Sequence, residues 1–129
     1  MLLLPTHTCA QPWHVMFLRH GLSDDHSGWV RRTSIERYCD GLPLLVVMPD
    51  GGRGFYANAS EGYAYATAIA RELASIIRSY FRVHDRFCVT GLSMGGYGAL
   101  RFAFKHPETF VSACSLSGAK RCQFSTSTL

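Results

Sequence analysis

Apolar residues along this chain fall into short continuous runs and longer periodic ones, and the two kinds alternate. Trp13 to Leu18 is a short run bounded by Pro12 and by Arg19-His20-Gly21, so it reads as a buried strand closed by a turn. Trp29 to Tyr38 reads as a helix. Leu44 to Met48 is apolar at every position, as a strand covered on both faces requires, and Pro49-Asp50-Gly51-Gly52 closes it. From Gly62 to Arg82 apolar residues return at Ala66, Ile69, Ala70, Leu73, Ile76, Ile77, Tyr80 and Phe81, a helical period kept for several turns. Phe87 to Thr90 is a third strand, and the Ala- and Leu-bearing stretch after Ser93 is a helix that stops at His106-Pro107, because a proline disfavours helical backbone in the residue before it. Val111 to Leu116 is a fourth strand, ended by Ser117-Gly118.

Strand and helix in turn predict an α/β protein with a mainly parallel sheet of about four strands flanked by helices. The domain is expected to occupy residues 1–119. Residues 120–129 are polar, rich in Ser and Thr and without period, and read as a disordered tail.

At 129 residues and 47% hydrophobic content the chain can bury one core. Its net charge of +4 comes from scattered arginines with only Arg31 and Arg32 adjacent, so there is no basic stripe to neutralise phosphates, and nucleic acid is not an expected partner. The five cysteines are odd in number and lack C-x-x-C spacing, which points to free thiols in a reducing cytoplasm and away from a metal site. Met1-Leu2-Leu3-Leu4 is stopped by Pro5 well short of a signal-peptide core, and no later stretch is long enough to span a bilayer. A soluble cytoplasmic protein without membrane contact is the expectation.

One motif carries chemistry. Gly91-Leu92-Ser93-Met94-Gly95 fits G-x-S-x-G and lies between a predicted strand and a predicted helix, the context of a nucleophile elbow. The serine of an elbow sits on a sharp, strained turn, and small residues two before and two after it let strand and helix pack closely, here with help from Gly96 and Gly98. Such a serine needs an oxyanion hole, built from the N–H of the next residue, Met94, and a second N–H from the loop after a neighbouring strand. His20-Gly21-Leu22 follows the first strand, and Leu22 is assigned the second donor because Gly21 lets the chain turn. A Gly-rich turn with an exposed serine is the bland alternative.

Four blocks carry a wider likeness: His20 to Asp25, Met48 to Tyr56, Gly91 to Leu100 and Ser115 to Ala119. In order and spacing they resemble the Putative esterase family, which includes tributyrin esterases, esterase D or S-formylglutathione hydrolases, feruloyl esterases and the antigen 85 mycolyltransferases. The resemblance runs from about Trp13 to Ala119. It implies an α/β-hydrolase fold, Ser93 as nucleophile, oxyanion amides at Leu22 and Met94, and an acyl-enzyme mechanism that uses no cofactor.

The pattern breaks off where a base is needed. In this fold the triad runs Ser, then Asp or Glu, then His. After Ser93 the chain offers only His106 and Glu108, and His106 ends the elbow helix roughly 15 Å or more from the serine at the usual helical rise. The chain therefore reads as a partial, truncated hydrolase domain that also begins after the family's first strands. Its last strand is expected to leave an open sheet edge through which copies could associate.

Other polar residues are weighed against blander roles. His20 is a candidate for shaping the oxyanion loop and, less simply, for a makeshift base. With Gly21 it belongs to the candidate substrate-binding residues, as do Arg53 and Tyr56 on the Gly-rich loop after the second strand, for which a solvated loop is the alternative. Asp50 sits in a turn signature on the catalytic side, Asp85 at the opposite end of the sheet, and His7, His14, His26 and His84 read as surface residues. The expected function is hydrolysis of small acyl esters or thioesters through an acyl-enzyme at Ser93. The alternatives are acyl transfer of the mycolyltransferase type and an inactive hydrolase fragment.

Overall fold

A computed structural model describes residues 1–6, 9–52, 66 and 68–118. Its centre is a five-stranded sheet: β1 (Leu2–Leu3), β2 (His14–Arg19), β3 (Leu44–Val47), β4 (Phe87–Leu92) and β5 (Phe110–Leu116). The strand order is β1-β3-β2-β4-β5. β2 pairs in parallel with β3 and β4, β4 pairs in parallel with β5, and β1 alone runs antiparallel, against β3.

β1 corrects the reading of the opening residues. Met1 to Leu4 is too short for a periodic signal, yet Leu2 and Leu3 pair with Val47 and Val46, and the Met1 amino group donates to the Met48 carbonyl at 2.9 Å. The sheet thus has five strands where the apolar runs predict four.

Alternation along the strands sends side chains to two layers. Val15, Phe17, Leu45, Val47, Phe87 and Val89 meet the helices on one face; Met16, Leu18, Val46 and Met48 meet those on the other. The first face is covered by a π-helical turn at Ala68–Leu73 running into α3 (Ala74–Tyr80), and by α4 (Met94–Lys105). The second is covered by α1 (Gly28–Arg32) and α2 (Ile35–Cys39), through Trp29, Val30, Ile35 and Cys39. Phe17, fully buried, anchors the first face: its ring stacks on Phe87 at 5.7 Å and meets Phe110 edge-on at 5.5 Å.

The single helix expected over Trp29 to Tyr38 is two. Thr33 takes an extended conformation, φ −135°, and its hydroxyl donates to the Trp29 carbonyl while accepting the Ile35 N–H at 3.2 Å. A side chain that serves both ends competes with the helical ladder and breaks it. Of the helix expected over Gly62 to Arg82, residues 68–80 are helical and Phe81 and Arg82 are not, and Ile76 and Tyr80 face outward although they share the apolar period. The tail expected over 120–129 lies outside the described residues.

Phe17→Ala should cost about 3–5 kcal/mol, since it empties a site walled by two other rings. Chemical denaturation of the variant beside the parent measures it.

Candidate active site

β4 ends at Leu92, α4 begins at Met94, and Ser93 alone joins them. Its backbone stands at φ 53° and ψ −112°, a conformation that costs a non-glycine residue on the order of 1–3 kcal/mol. Hydrogen bonds hold it there: the Ser93 N–H donates to the Leu116 carbonyl at 2.8 Å, prolonging the β4–β5 ladder, and the Ser93 carbonyl accepts the Tyr97 N–H at 3.0 Å. Glycine is required beside it for steric reasons. A methyl on Gly91 would lie 2.6 Å from the Gly95 carbonyl carbon, and one on Gly95 would lie 2.7 Å from the carbonyl oxygens of both Arg19 and His20. Helix α4 therefore starts in backbone contact with the end of β2.

The loop after β2 is brought to the serine by register. Arg19 pairs with Gly91, so Gly21 falls opposite Ser93, and a methyl on Gly21 would lie 3.8 Å from Ser93 Cβ. Residues 21–24 form a turn closed by the Asp24 N–H on the Gly21 carbonyl at 3.3 Å, with Ser23 at φ 67°. That bond leaves the N–H of the second turn residue, Leu22, unused by the turn. Met94, first residue of α4, likewise has no carbonyl one turn back within its helix, and the helix dipole favours negative charge there. Ser93 and Gly21 are thus brought together, with Met94 and Leu22 the next residues along their chains.

His20 is buried beneath this loop. Its Nδ1–H donates to the Gly21 carbonyl at 2.7 Å, and its Nε2 accepts the Gly51 N–H at 3.0 Å. With these two bonds His20 links the loops after β2 and β3. Asp50 joins the same linkage. One carboxylate oxygen lies 3.4 Å from His20 Nε2 and accepts the Gly52 N–H at 2.9 Å; the other lies 3.6 Å from His26 Nδ1. The Gly52 N–H, with help from His26, holds the Asp50 carboxyl below the usual aspartate range.

Arg19 was not visible as a site residue. It reads from the sequence as part of a turn, but it is the last residue of β2, fully buried, with its guanidinium 3.3 Å over the Phe102 ring and its carbonyl accepting the Trp29 indole N–H at 3.2 Å. A charge at the edge of an apolar run carries no sign of being buried until α4 lies over it. His106 is placed far from Ser93, at the other end of the twelve-residue α4, 3.4 Å from Glu108. Asp85 lies before β4, its carbonyl bound by Arg78, and His14 stacks on His84 at 4.4 Å. Arg53 and Tyr56 lie outside the described residues. Among those described, no group of three or more His, Cys, Asp or Glu could hold a metal ion, and no helix is long and apolar enough to cross a membrane.

A mainly parallel sheet with helices on both faces, and a strained serine between a central strand and the helix packed on it, define an α/β-hydrolase fold. The sequence matches the profile of the Putative esterase family over residues 1–123, and the chain belongs to that family. It is 34% identical over 123 residues to esterase Rv1288 of Mycobacterium tuberculosis, covering 86% of this chain and 26% of the relative. Among solved structures it is similar to the serine hydrolase FphF of Staphylococcus aureus, with TM-score 0.82 and 30% identity over 95% of this chain and 55% of that one. It is also similar to the S-formylglutathione hydrolase FrmB of the same organism, with TM-score 0.78 and 33% identity over 92% of this chain and 50% of that one. The chain thus spans about a quarter of the curated relative and about half of each solved structure.

Two glycine variants separate packing from chemistry. Gly95→Ala should cost about 3 kcal/mol, the upper end for overpacking, whereas Gly21→Ala, with its methyl at ordinary contact distance, should leave the thermal midpoint nearly unchanged. For Asp50, whose carboxyl is held low in the fold, the stabilising contribution is present above the usual aspartate value and lost as the pH falls through the lower folded-state value. An NMR titration of that carboxyl and the acid-unfolding curve of Asp50→Asn test this.

Proposed function

We propose that this chain is the nucleophile-bearing half, residues 1–119, of a serine carboxylic-ester hydrolase for small acyl esters or thioesters. Ser93 Oγ attacks the substrate carbonyl carbon, the C–O or C–S bond to the leaving group breaks, and the acyl group is held as an ester on Ser93 until water releases it as the acid. The N–H groups of Leu22 and Met94 receive the negative oxygen of the tetrahedral intermediates. His20 and Gly21 shape the wall of the site, and Arg53 and Tyr56 are the candidates for contact with the rest of the substrate. No cofactor enters the scheme.

The observation that carries this reading is the strained backbone of Ser93 with Gly21 packed against it. Strain is retained where the surroundings over-determine it, and here glycine contacts and a helix start are spent on presenting one hydroxyl. The thioester part of the proposal leans on the likeness to an S-formylglutathione hydrolase. A cytoplasmic setting agrees with the free thiols, among the described residues, of Cys9, Cys39, Cys88 and Cys114.

The scheme requires a base to take the Ser93 proton, and among the described residues no histidine is hydrogen-bonded to Ser93. The base and its carboxylate partner are therefore assigned to polypeptide beyond those residues. Hydrolysis of a short p-nitrophenyl ester, measured beside Ser93→Ala, is the direct test. We expect the 129-residue chain to turn over weakly and to be labelled by a fluorophosphonate only slowly and incompletely, with all rate and labelling above background lost in the variant. Equal labelling of parent and variant would overturn the assignment of Ser93, and a sugar acyl ester as the main product would replace hydrolysis by acyl transfer.

A further inference from the structure

The chain at the break between α1 and α2 reads Arg31-Arg32-Thr33-Ser34-Ile35, and Ser34 is the one serine or threonine of the sequence with arginines both two and three positions before it. The fold presents that pattern outward. Arg31, Arg32, Thr33 and Ser34 are all exposed, the two arginine side chains at 55% and 65%. Thr33 is extended, at φ −135° and ψ 171°, so the backbone between the arginines and Ser34 leaves the helix and can be gripped along its length. The helices on either side have five residues each, too few to be stable without packing, and α2 starts at Ser34 with no side-chain cap. The two neighbouring hydroxyls differ in use. That of Thr33 donates to the Trp29 carbonyl and accepts the Ile35 N–H, whereas that of Ser34 makes no capping bond and is available to react.

We infer that Ser34 is a phosphorylation site for a serine/threonine kinase whose peptide groove is lined with carboxylates. Two guanidinium groups at fixed positions ahead of the hydroxyl give such a groove paired, charge-assisted hydrogen bonds, and Ile35 gives it an apolar contact once the short α2 opens. Ser34 Oγ attacks the γ-phosphorus of a nucleoside triphosphate, the bond from that phosphorus to the bridging oxygen breaks, the diphosphate leaves, and the hydroxyl proton passes to a carboxylate of the kinase. The phosphate then changes the partners of both arginines. In the unmodified chain Arg31 Nη2 lies 3.9 Å from Asp24 and 3.7 Å from Asp25, and Arg32 Nη1 lies 3.6 Å from Asp24, loose surface pairs that are readily exchanged. A phosphoserine brings roughly two negative charges and three acceptor oxygens within two or three residues of them, and it draws both away from Asp24. The Asp24 N–H closes the turn after β2 on the Gly21 carbonyl, so a released Asp24 loosens that turn. Leu22 lies in it, and the modification thereby reaches the candidate oxyanion loop, a consequence that rests on the esterase reading whereas the modification itself does not.

The test incubates the folded 129-residue chain with magnesium, adenosine triphosphate and the catalytic subunit of an arginine-directed serine/threonine kinase, and maps the product by mass spectrometry. We expect phosphate on Ser34, none on Ser34→Ala, and recovery in Ser34→Thr. Arg31→Ala and Arg32→Ala should each lower the kcat/KM of phosphorylation by about tenfold or more, while Arg37→Ala, after the serine on α2, should leave it unchanged. In the phosphorylated chain hydrogen exchange at the Asp24 N–H should run about threefold faster or more, as it should in unmodified Arg32→Ala. Chain purified from its own cells should carry the same phosphoserine, and an unmodified Ser34 there would overturn the proposal. So would refusal of the folded chain by a kinase that accepts the peptide of residues 28–40, phosphate placed on another residue, or equal rates for the parent and the two arginine variants. Unchanged exchange at Asp24 would overturn the change of partners. None of these readouts is hydrolysis, so a chain phosphorylated at Ser34 that hydrolyses nothing would keep the modification site and count against the esterase reading instead.

Discussion

The rest of this structure depends on a backbone contact: the first turn of α4 lies directly against the end of β2, with no side chain between them. Gly95 meets the carbonyls of Arg19 and His20, and Gly91 meets Gly95. Because that contact admits no Cβ, it fixes the height of α4 above the sheet and the point at which β4 must turn. Ser93 takes the sharp backbone that remains. The same contact keeps β2 and β4 in the register that places Gly21 beside Ser93, so the serine and the loop that faces it are set by one constraint.

Polar groups under the site serve to hold loops. Buried His20 takes a carbonyl from its own loop and an N–H from the loop after β3, which ties two otherwise independent connections at the C-terminal edge of the sheet. Asp50 extends the tie to His26 at the surface. Arg19 works from beneath, its guanidinium flat on Phe102 while its carbonyl holds Trp29, so one residue touches α4 on one face and α1 on the other. In each case a charged or titratable side chain lies where the sheet ends and hydrophobic packing gives way to chemistry.

Covered and uncovered surfaces divide the molecule unevenly. β2 and β3 are sandwiched between helices, with Phe17, Leu45 and Val46 fully buried. β5 is half-built by comparison: its inner face packs through Phe110 and Ala113, and the remainder alternates toward solvent. A sheet of this class is stable when both faces of each parallel strand are buried. The chain matches the family profile over residues 1–123 and spans about half of each of the two solved relatives.

Much was legible in the sequence because much was local. Continuous apolar runs marked β2, β3, β4 and β5, the helical period marked α3, the Ala- and Leu-bearing stretch that stops at His106-Pro107 marked α4, and the glycine spacing about Ser93 marked the elbow, since each signal lies within a few residues of what it specifies. The two-residue β1 was not legible, because it is a strand only by virtue of β3 beside it, nor was the break at Thr33, which turns on a single hydroxyl. The bonds of His20 to residues 1 and 31 positions away, and the burial of Arg19, were decided by tertiary structure alone. The sequence by itself determined which residue would stand at the sharp turn, because that requires only short-range sterics. Which groups would surround it is a matter of strand order and register, and those are settled only when distant segments pack.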